Sequence, residues 1–165
     1  MVKISTEVIS RCYQYLNPFK EYELNFRNLK ITELTNIALT NDSFGCLNFS
    51  DNMISEIIYL PQLNKLKTLI FTNNNISKIQ IDFAQNCNNL KSLVLINNRI
   101  SDFDQIKNIS SCKSLEKLYL INNLVTKIKN YRLYVIYIMP NLKILDFQNV
   151  QDSEKKNAKI IFDNK

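Results

Sequence analysis

Apolar residues recur along this chain in a short frame, LxxLxL, followed by a polar stretch that contains asparagine and closes on an aliphatic residue. Leu66, Leu69, Phe71, Asn74 and Ile76 in LKTLIFTNNNI align with Leu90, Leu93, Leu95, Asn98 and Ile100 in LKSLVLINNRI. A third copy, LEKLYLINNLV, supplies Leu115, Leu118, Leu120, Asn123 and Val125. Upstream, ELNFRNLKI gives Leu24, Phe26, Leu29 and Ile31, and CLNFSDNMI gives Leu47, Phe49, Asn52 and Ile54. Downstream, LKILDFQNV gives Leu142, Leu145, Phe147 and Val150. From Leu24 the first strand leucine recurs after 23, 22, 24, 25 and 27 residues.

That spacing and frame are those of leucine-rich repeats. The two residues of LxL point to the same side of a short strand, and strands of successive copies stack at about 4.8 Å in a parallel sheet. One coil cannot bury its leucines alone, so stability comes from neighbours. The predicted fold is α/β: a leucine-rich repeat solenoid with a parallel concave sheet and a helical and irregular convex side. Asn52, Asn74, Asn98 and Asn123 are expected as a buried ladder, because a carboxamide offers an acceptor and two donors to backbone groups that would otherwise be orphaned. The chain holds 24 asparagines, so it is the register of these four that carries meaning. Leu29 and Val150 stand at the same place in the end copies. Cys87 and Cys112 each precede the first leucine of a copy by three residues and read as stacked core thiols.

A solenoid needs caps over its open ends. STEVISRCYQYL predicts an N-terminal helix, with a cap at Ser5 or Thr6, Glu7 in the first turn, and Val8, Ile9, Cys12 and Leu16 on one face, stopping before Asn17-Pro18. KNYRLYVIYIMP predicts a helix closed by Pro140 and leading into a final strand around Leu145 and Phe147. Ala158, Ile161 and Phe162 predict one last short helix after Asp152. The expected organisation is one domain over 1–165: an N-terminal cap at 1–20, repeats at 21–127 and a C-terminal cap at 128–165.

Side chains flanking each LxL pair point to the concave face. In order they are Glu23, Asn25 and Arg27; Cys46, Asn48 and Ser50; Thr68, Ile70 and Thr72; Ser92, Val94 and Ile96; Lys117, Tyr119 and Ile121; Ile144, Asp146 and Gln148. The first two triplets are polar, whereas Ile70, Val94, Ile96, Tyr119 and Ile121 form a contiguous apolar patch. Such a patch marks a partner surface, and its shape suits an amphipathic helix.

Composition then removes whole classes of chemistry. The chain has 165 residues, 45% apolar and 22% charged, and is globular in character. It has no histidine, which excludes imidazole bases and the usual zinc sites. Its one glycine, Gly45, cannot build a phosphate-cradling loop. The paired carboxylates Asp102 with Asp104, and Asp152 with Glu154, read as turn or helix-start residues, so no enzyme, cofactor or metal site is expected. Cys12, Cys46, Cys87 and Cys112 are too far apart for a CxxC motif and read as reduced thiols. No leader pattern and no run of about 18 apolar residues is present, which predicts a soluble intracellular chain. Net charge is +6, distributed as +2 over 1–31, −1 over 32–110 and +5 over 111–165. Basic ends attract phosphates. Candidates are Lys3, Lys20, Arg27 and Lys30 at one end, and Lys155, Lys156 and Lys159 at the other.

Beyond the repeat frame, MVK with the capping helix, ELNFR at Glu23–Arg27, FSDN at Phe49–Asn52, LKTL at Leu66–Leu69, YRLYVIY at Tyr131–Tyr137 and LDFQ at Leu145–Gln148 resemble the A-prime family of the U2 small nuclear ribonucleoprotein. The resemblance implies a nuclear, non-enzymatic splicing scaffold. It would hold the first helix of the RNA-recognition-motif domain of the B-double-prime protein in its concave face, the pair binding a stem-loop of U2 small nuclear RNA. On that basis the helix site falls on Ile70, Val94, Ile96, Tyr119 and Ile121, with Arg27, Asn48 and Lys117 orienting the helix or reaching phosphate. The resemblance runs along the 165 residues and does not include the polar C-terminal extension common in the family. The chain carries no aromatic platform for single-stranded bases, so its own RNA contact is expected at phosphates, mainly through the partner. Another short capped leucine-rich repeat adaptor, such as a phosphatase-regulatory protein, is the competing reading.

Overall fold

The computed structural model describes residues 2–163, so Met1 of the opening MVK string and the last two residues of the C-terminal cap lie outside it. In chain order the N-terminal elements are α1 (Thr6–Arg11), β1 (Tyr13–Leu16), β2 (Tyr22–Asn25), a 3-10 turn (Ile37–Thr40) and β3 (Cys46–Asn48). The central ones are β4 (Glu56–Ile57), β5 (Thr68–Ile70), β6 (Lys78–Ile79), β7 (Ser92–Val94), α2 (Phe103–Ser110) and β8 (Lys117–Tyr119). A 3-10 turn (Leu124–Lys127), α3 (Tyr131–Ile138), β9 (Ile144–Leu145), β10 (Gln148–Asn149) and α4 (Asp152–Asp163) complete the order.

One eight-stranded sheet runs β1-β2-β3-β5-β7-β8-β9-β10. Its six inner strands are parallel, and the strands at both edges are antiparallel to their neighbours. Leu24, Leu47, Leu69, Leu93, Leu118 and Leu145 pair in register across it and are all buried. One row behind, Phe26, Phe49 and Phe71 stack with ring centroids 4.8 and 5.4 Å apart. Leu95 and Leu120 fill the same position in the next two coils. On the convex side β4 and β6 form a short parallel pair, followed by α2, which is capped by Asp102.

The asparagine ladder is present in the predicted register. Asn98 donates to the carbonyls of Phe71, Leu95 and Ile96 and accepts from the Ile76 N–H at 3.0 Å. Asn52, Asn74 and Asn123 repeat the pattern, each serving the coil before its own. A second, exposed ladder lies one residue upstream. Asn122 donates to Asn97, Asn97 to Asn73 and Asn73 to Asp51, each at 2.6 Å, and the Asp51 carboxylate ends the row on Arg27. Asp51, Asn73, Asn97 and Asn122 all adopt positive φ, the conformation that short polar side chains tolerate best after glycine.

Two cap expectations are corrected. The N-terminal helix ends at Arg11, not Leu16. Ser5 caps it by accepting from the Val8 N–H, but Tyr13–Leu16 then pairs antiparallel with β2, because the solenoid would otherwise expose an unpaired strand edge. In the last copy the strand stops at Leu145. Asp146 and Phe147 take φ of 52° and 62° and reverse the chain into β10, so Phe147 is turned outward rather than into the core. Asp146 is held in that turn by the Leu120 N–H at 2.6 Å and the Tyr131 hydroxyl at 2.9 Å. Arg132 grips the same turn from α3, bonding the carbonyls of Leu145 and Asn149 and both oxygens of Glu154. These bonds give YRLYVIY and LDFQ a shared structural purpose. Phe103, Tyr134, Phe162 and Tyr137 continue the cap as a seam of ring contacts joining α2, α3 and α4. Among the described residues no helix is long and apolar enough to cross a membrane.

Candidate protein-binding groove

The parallel register sets three rows of side chains on the concave face. The first is Glu23, Cys46, Thr68, Ser92 and Lys117, and the middle is Asn25, Asn48, Ile70, Val94 and Tyr119. Arg27, Ser50, Thr72, Ile96 and Ile121 follow two residues further along each coil. Ile70, Val94, Ile96, Tyr119 and Ile121 are all half-buried on adjacent coils.

Both caps build walls for this strip. At the first coil, Asn17 organises a tight loop. Its Oδ1 accepts from the N–H groups of Phe19 and Glu21, each at 3.0 Å, and its N–H donates to the Glu21 carbonyl. The loop projects Phe19, 80% exposed, beside the groove. It rests on Gly45, where an added Cβ would come within 3.3 Å of the Glu21 Cβ, so the single glycine permits the close approach. At the other end Phe147, 68% exposed, packs on Tyr119 with centroids 4.6 Å apart. Between the walls lies a cavity of about 480 Å³, floored by Thr68, Ile70, Ser92, Val94, Lys117 and Tyr119. Phe19 and Glu21 lie outside the repeat frame, which carries no signal for them, and Phe147 stands at a core position of the last copy, so the frame predicts it inside rather than on the groove.

The polar end of the face is not the open surface that the triplets imply. Cys46, Glu23 and Ser50 are buried. The Glu23 carboxylate accepts from the Tyr15 hydroxyl at 2.8 Å and from the carboxamides of Asn17 and Asn48, each at 3.1 Å. Burial first, and then the fields of Glu23 and Glu21, push the Cys46 thiol far up. Asn48 is fully engaged, since its Oδ1 also accepts from Ser50. Arg27 pairs with Asp51, whose carboxyl is held low by hydrogen bonds from Asn73 and Arg27. Of the three polar residues expected to orient a partner, only Lys117 has a side chain that forms no hydrogen bond or ion pair among the described residues.

The basic candidates fall into two groups. Lys3, Lys20, Arg27 and Lys30 are exposed around the first coil. Lys156 and Lys159 are exposed on α4, whereas Lys155 is half-buried and donates to the Pro140 carbonyl at 3.1 Å. Five strand spacings between β2 and β9 separate the two ends by roughly 24 Å. The carboxylate pairs are structural: Asp102 caps α2, and Glu154 neutralises Arg132. No group of three or more metal-binding side chains occurs among the described residues.

Stacked coils that each add one strand to the concave sheet, sealed at both ends and grooved on that side, define a capped solenoid that presents a surface. Residues 1–165 match the family model described as Leucine-rich repeat, and the chain belongs to that family. It is similar to the U2 small nuclear ribonucleoprotein A' of Homo sapiens, 39% identical over 165 residues, covering 100% of this chain and 65% of that protein. The Arabidopsis thaliana U2 small nuclear ribonucleoprotein A' is 37% identical, covering 100% and 66%. The chain thus spans just under two thirds of these relatives. Among solved structures it is similar to a chain of the Drosophila melanogaster SNF/U2A' complex, with a TM-score of 0.95 and 34% identity over 98% of this chain and 93% of that one.

Proposed function

We propose that this chain is a nuclear, non-enzymatic scaffold of the U2 small nuclear ribonucleoprotein. It holds the first helix of a B-double-prime type RNA-recognition-motif protein in its concave groove and thereby supports binding of a U2 small nuclear RNA stem-loop in pre-mRNA splicing. The observation that carries this reading is the half-buried apolar strip from Ile70 to Ile121, walled by Phe19 and Phe147. The similar Drosophila chain was solved in a complex with SNF. Burying three aliphatic or aromatic anchors contributes about 1.5–3 kcal/mol each, against roughly 4–15 kcal/mol lost on association. The strip alone therefore gives a moderate complex, and the cap walls and charged ends supply the remainder. RNA contact by this chain runs through exposed lysines to phosphate.

Titration calorimetry against the homologous partner from the same organism tests the groove. Ile96→Asp places a charge in a surface buried only in the complex and is expected to abolish binding without changing the thermal melt. Unchanged affinity overturns the assignment. On the assembled pair, Lys156→Ala with Lys159→Ala is expected to weaken stem-loop binding and flatten its salt dependence. An unchanged salt slope removes α4 from the RNA site.

A further inference from the structure

The groove is electrically polarised along its length. At the first coils Glu23 is buried and satisfied only by neutral donors. Beside it the Oε2 of Glu21, which also lines the cavity, is shut off from solvent with no hydrogen-bond partner. Neither carboxylate forms an ion pair among the described residues. At the fifth coil Lys117 lines the same cavity, half-buried. Its cationic neighbours Lys91 and Lys143 share the one nearby carboxylate, Glu116, and the Lys117 ammonium group forms no ion pair among the described residues. Thr68, Ile70, Ser92 and Val94 between the two poles are uncharged.

Register fixes the separation. Glu23, Cys46, Thr68, Ser92 and Lys117 pair in sequence, so four strand spacings put the poles roughly 19 Å apart. A helix lying across the strands covers that distance in roughly 13 residues at 1.5 Å each, less about a turn for side-chain reach.

Resting on the reading of the groove as a helix site, we propose that it selects a partner helix with segregated charge. A lysine or arginine meets Glu21 at the first-coil end, and a carboxylate meets Lys117 at the fifth-coil end. Glu21 lines the cavity, and turning its carboxylate toward the groove brings the shielded oxygen to the cation, which supplies the hydrogen bond it lacks; a buried acceptor without one is costly. Apolar contacts with the strip are non-directional and leave direction and register open. The two charges set both, and a helix with the wrong sign at either end brings like charges together in a desolvated site.

The test uses the full chain and the same partner at several salt concentrations. Glu21→Gln and Lys117→Gln keep side-chain size, and each is expected to lower affinity about tenfold and to flatten the salt dependence, with unchanged melting. Carbodiimide treatment of the complex is expected to couple Lys117 to a partner carboxylate. If both variants bind like the wild type with the same salt slope while Ile96→Asp abolishes binding, the groove stands and charge selection is overturned. If Ile96→Asp also binds normally, the groove reading fails, and this inference fails with it.

Discussion

Asn98→Ala removes one rung of the inner ladder, and its cost can be worked bond by bond. The Ile76 N–H loses its acceptor at 3.0 Å and has no other, leaving a buried donor orphaned at about 1–3 kcal/mol. The carbonyls of Phe71, Leu95 and Ile96 each lose a donor but retain another, from Asn74, Asn123 and the Asn73 N–H respectively. The two shorter lost bonds, at 2.8 and 3.0 Å, are worth about 1 kcal/mol each. The expected loss is about 3–5 kcal/mol, a large share of the 5–15 kcal/mol typical of a domain. Urea unfolding followed by circular dichroism measures it, with Asn97→Gly as the control. That variant cuts the exposed ladder while keeping the positive φ, and water replaces its bonds, so it is expected to cost less than about 1 kcal/mol. Equal losses from the two variants would refute the claim that buried carboxamides hold the coils together.

The Arg132–Glu154 pair makes the C-terminal cap sensitive to acid. Hydrogen bonding from Arg132 holds the Glu154 carboxyl below its ordinary 4.5, so the stabilisation is complete above that value and is lost as pH falls through the lowered one. Glu154→Gln is expected to be less stable than wild type at pH 7, with a gap that narrows as pH falls below 4.5. A gap that does not narrow as pH falls below 4.5 refutes the linkage. Burial pushes the Cys87 thiol up to about 11 and raises those of Cys12, Cys46 and Cys112. All four are therefore protonated at neutral pH. An aromatic disulfide reagent is expected to modify the half-buried Cys12 first and the three buried thiols only on unfolding. A second fast thiol would contradict the packing.

The repeat frame was readable because each coil obeys the same local rule, so Leu24 to Leu145, the four rungs and the apolar strip all followed from register. The exposed ladder had a signal too, in the doublets Asp51-Asn52, Asn73-Asn74, Asn97-Asn98 and Asn122-Asn123. What escaped depends on contacts between distant segments. Val8, Ile9, Cys12 and Leu16 fit a helical face, yet Tyr13–Leu16 is a strand because β2 offers an open edge. Glu23 and Cys46 are buried where Tyr15 and the Asn17–Glu21 loop close over the first coils, with Tyr15, Asn17 and Asn48 all bonding the Glu23 carboxylate. Phe147 sits in the LxL position of the last copy, and only the Asp146 bonds to Leu120 and Tyr131 reveal that it turns out. Phe19 thus enters the groove from a segment that no repeat describes, and Phe147 from a repeat whose last strand turns back on itself.

The inner ladder points one way, and this gives the chain an order of completion during synthesis. Each coil receives its carboxamide from the coil after it, so a newly made coil has unsatisfied backbone groups until roughly 24 more residues have emerged. At roughly 5–20 residues per second that wait is about one to five seconds. The lag passes from Asn52 through Asn123 and ends at Asp146, whose carboxylate serves the Leu120 N–H without needing a successor. Nascent chains stalled before Asp146 should therefore remain unsealed at the fifth coil, where the groove's Lys117 and Tyr119 reside.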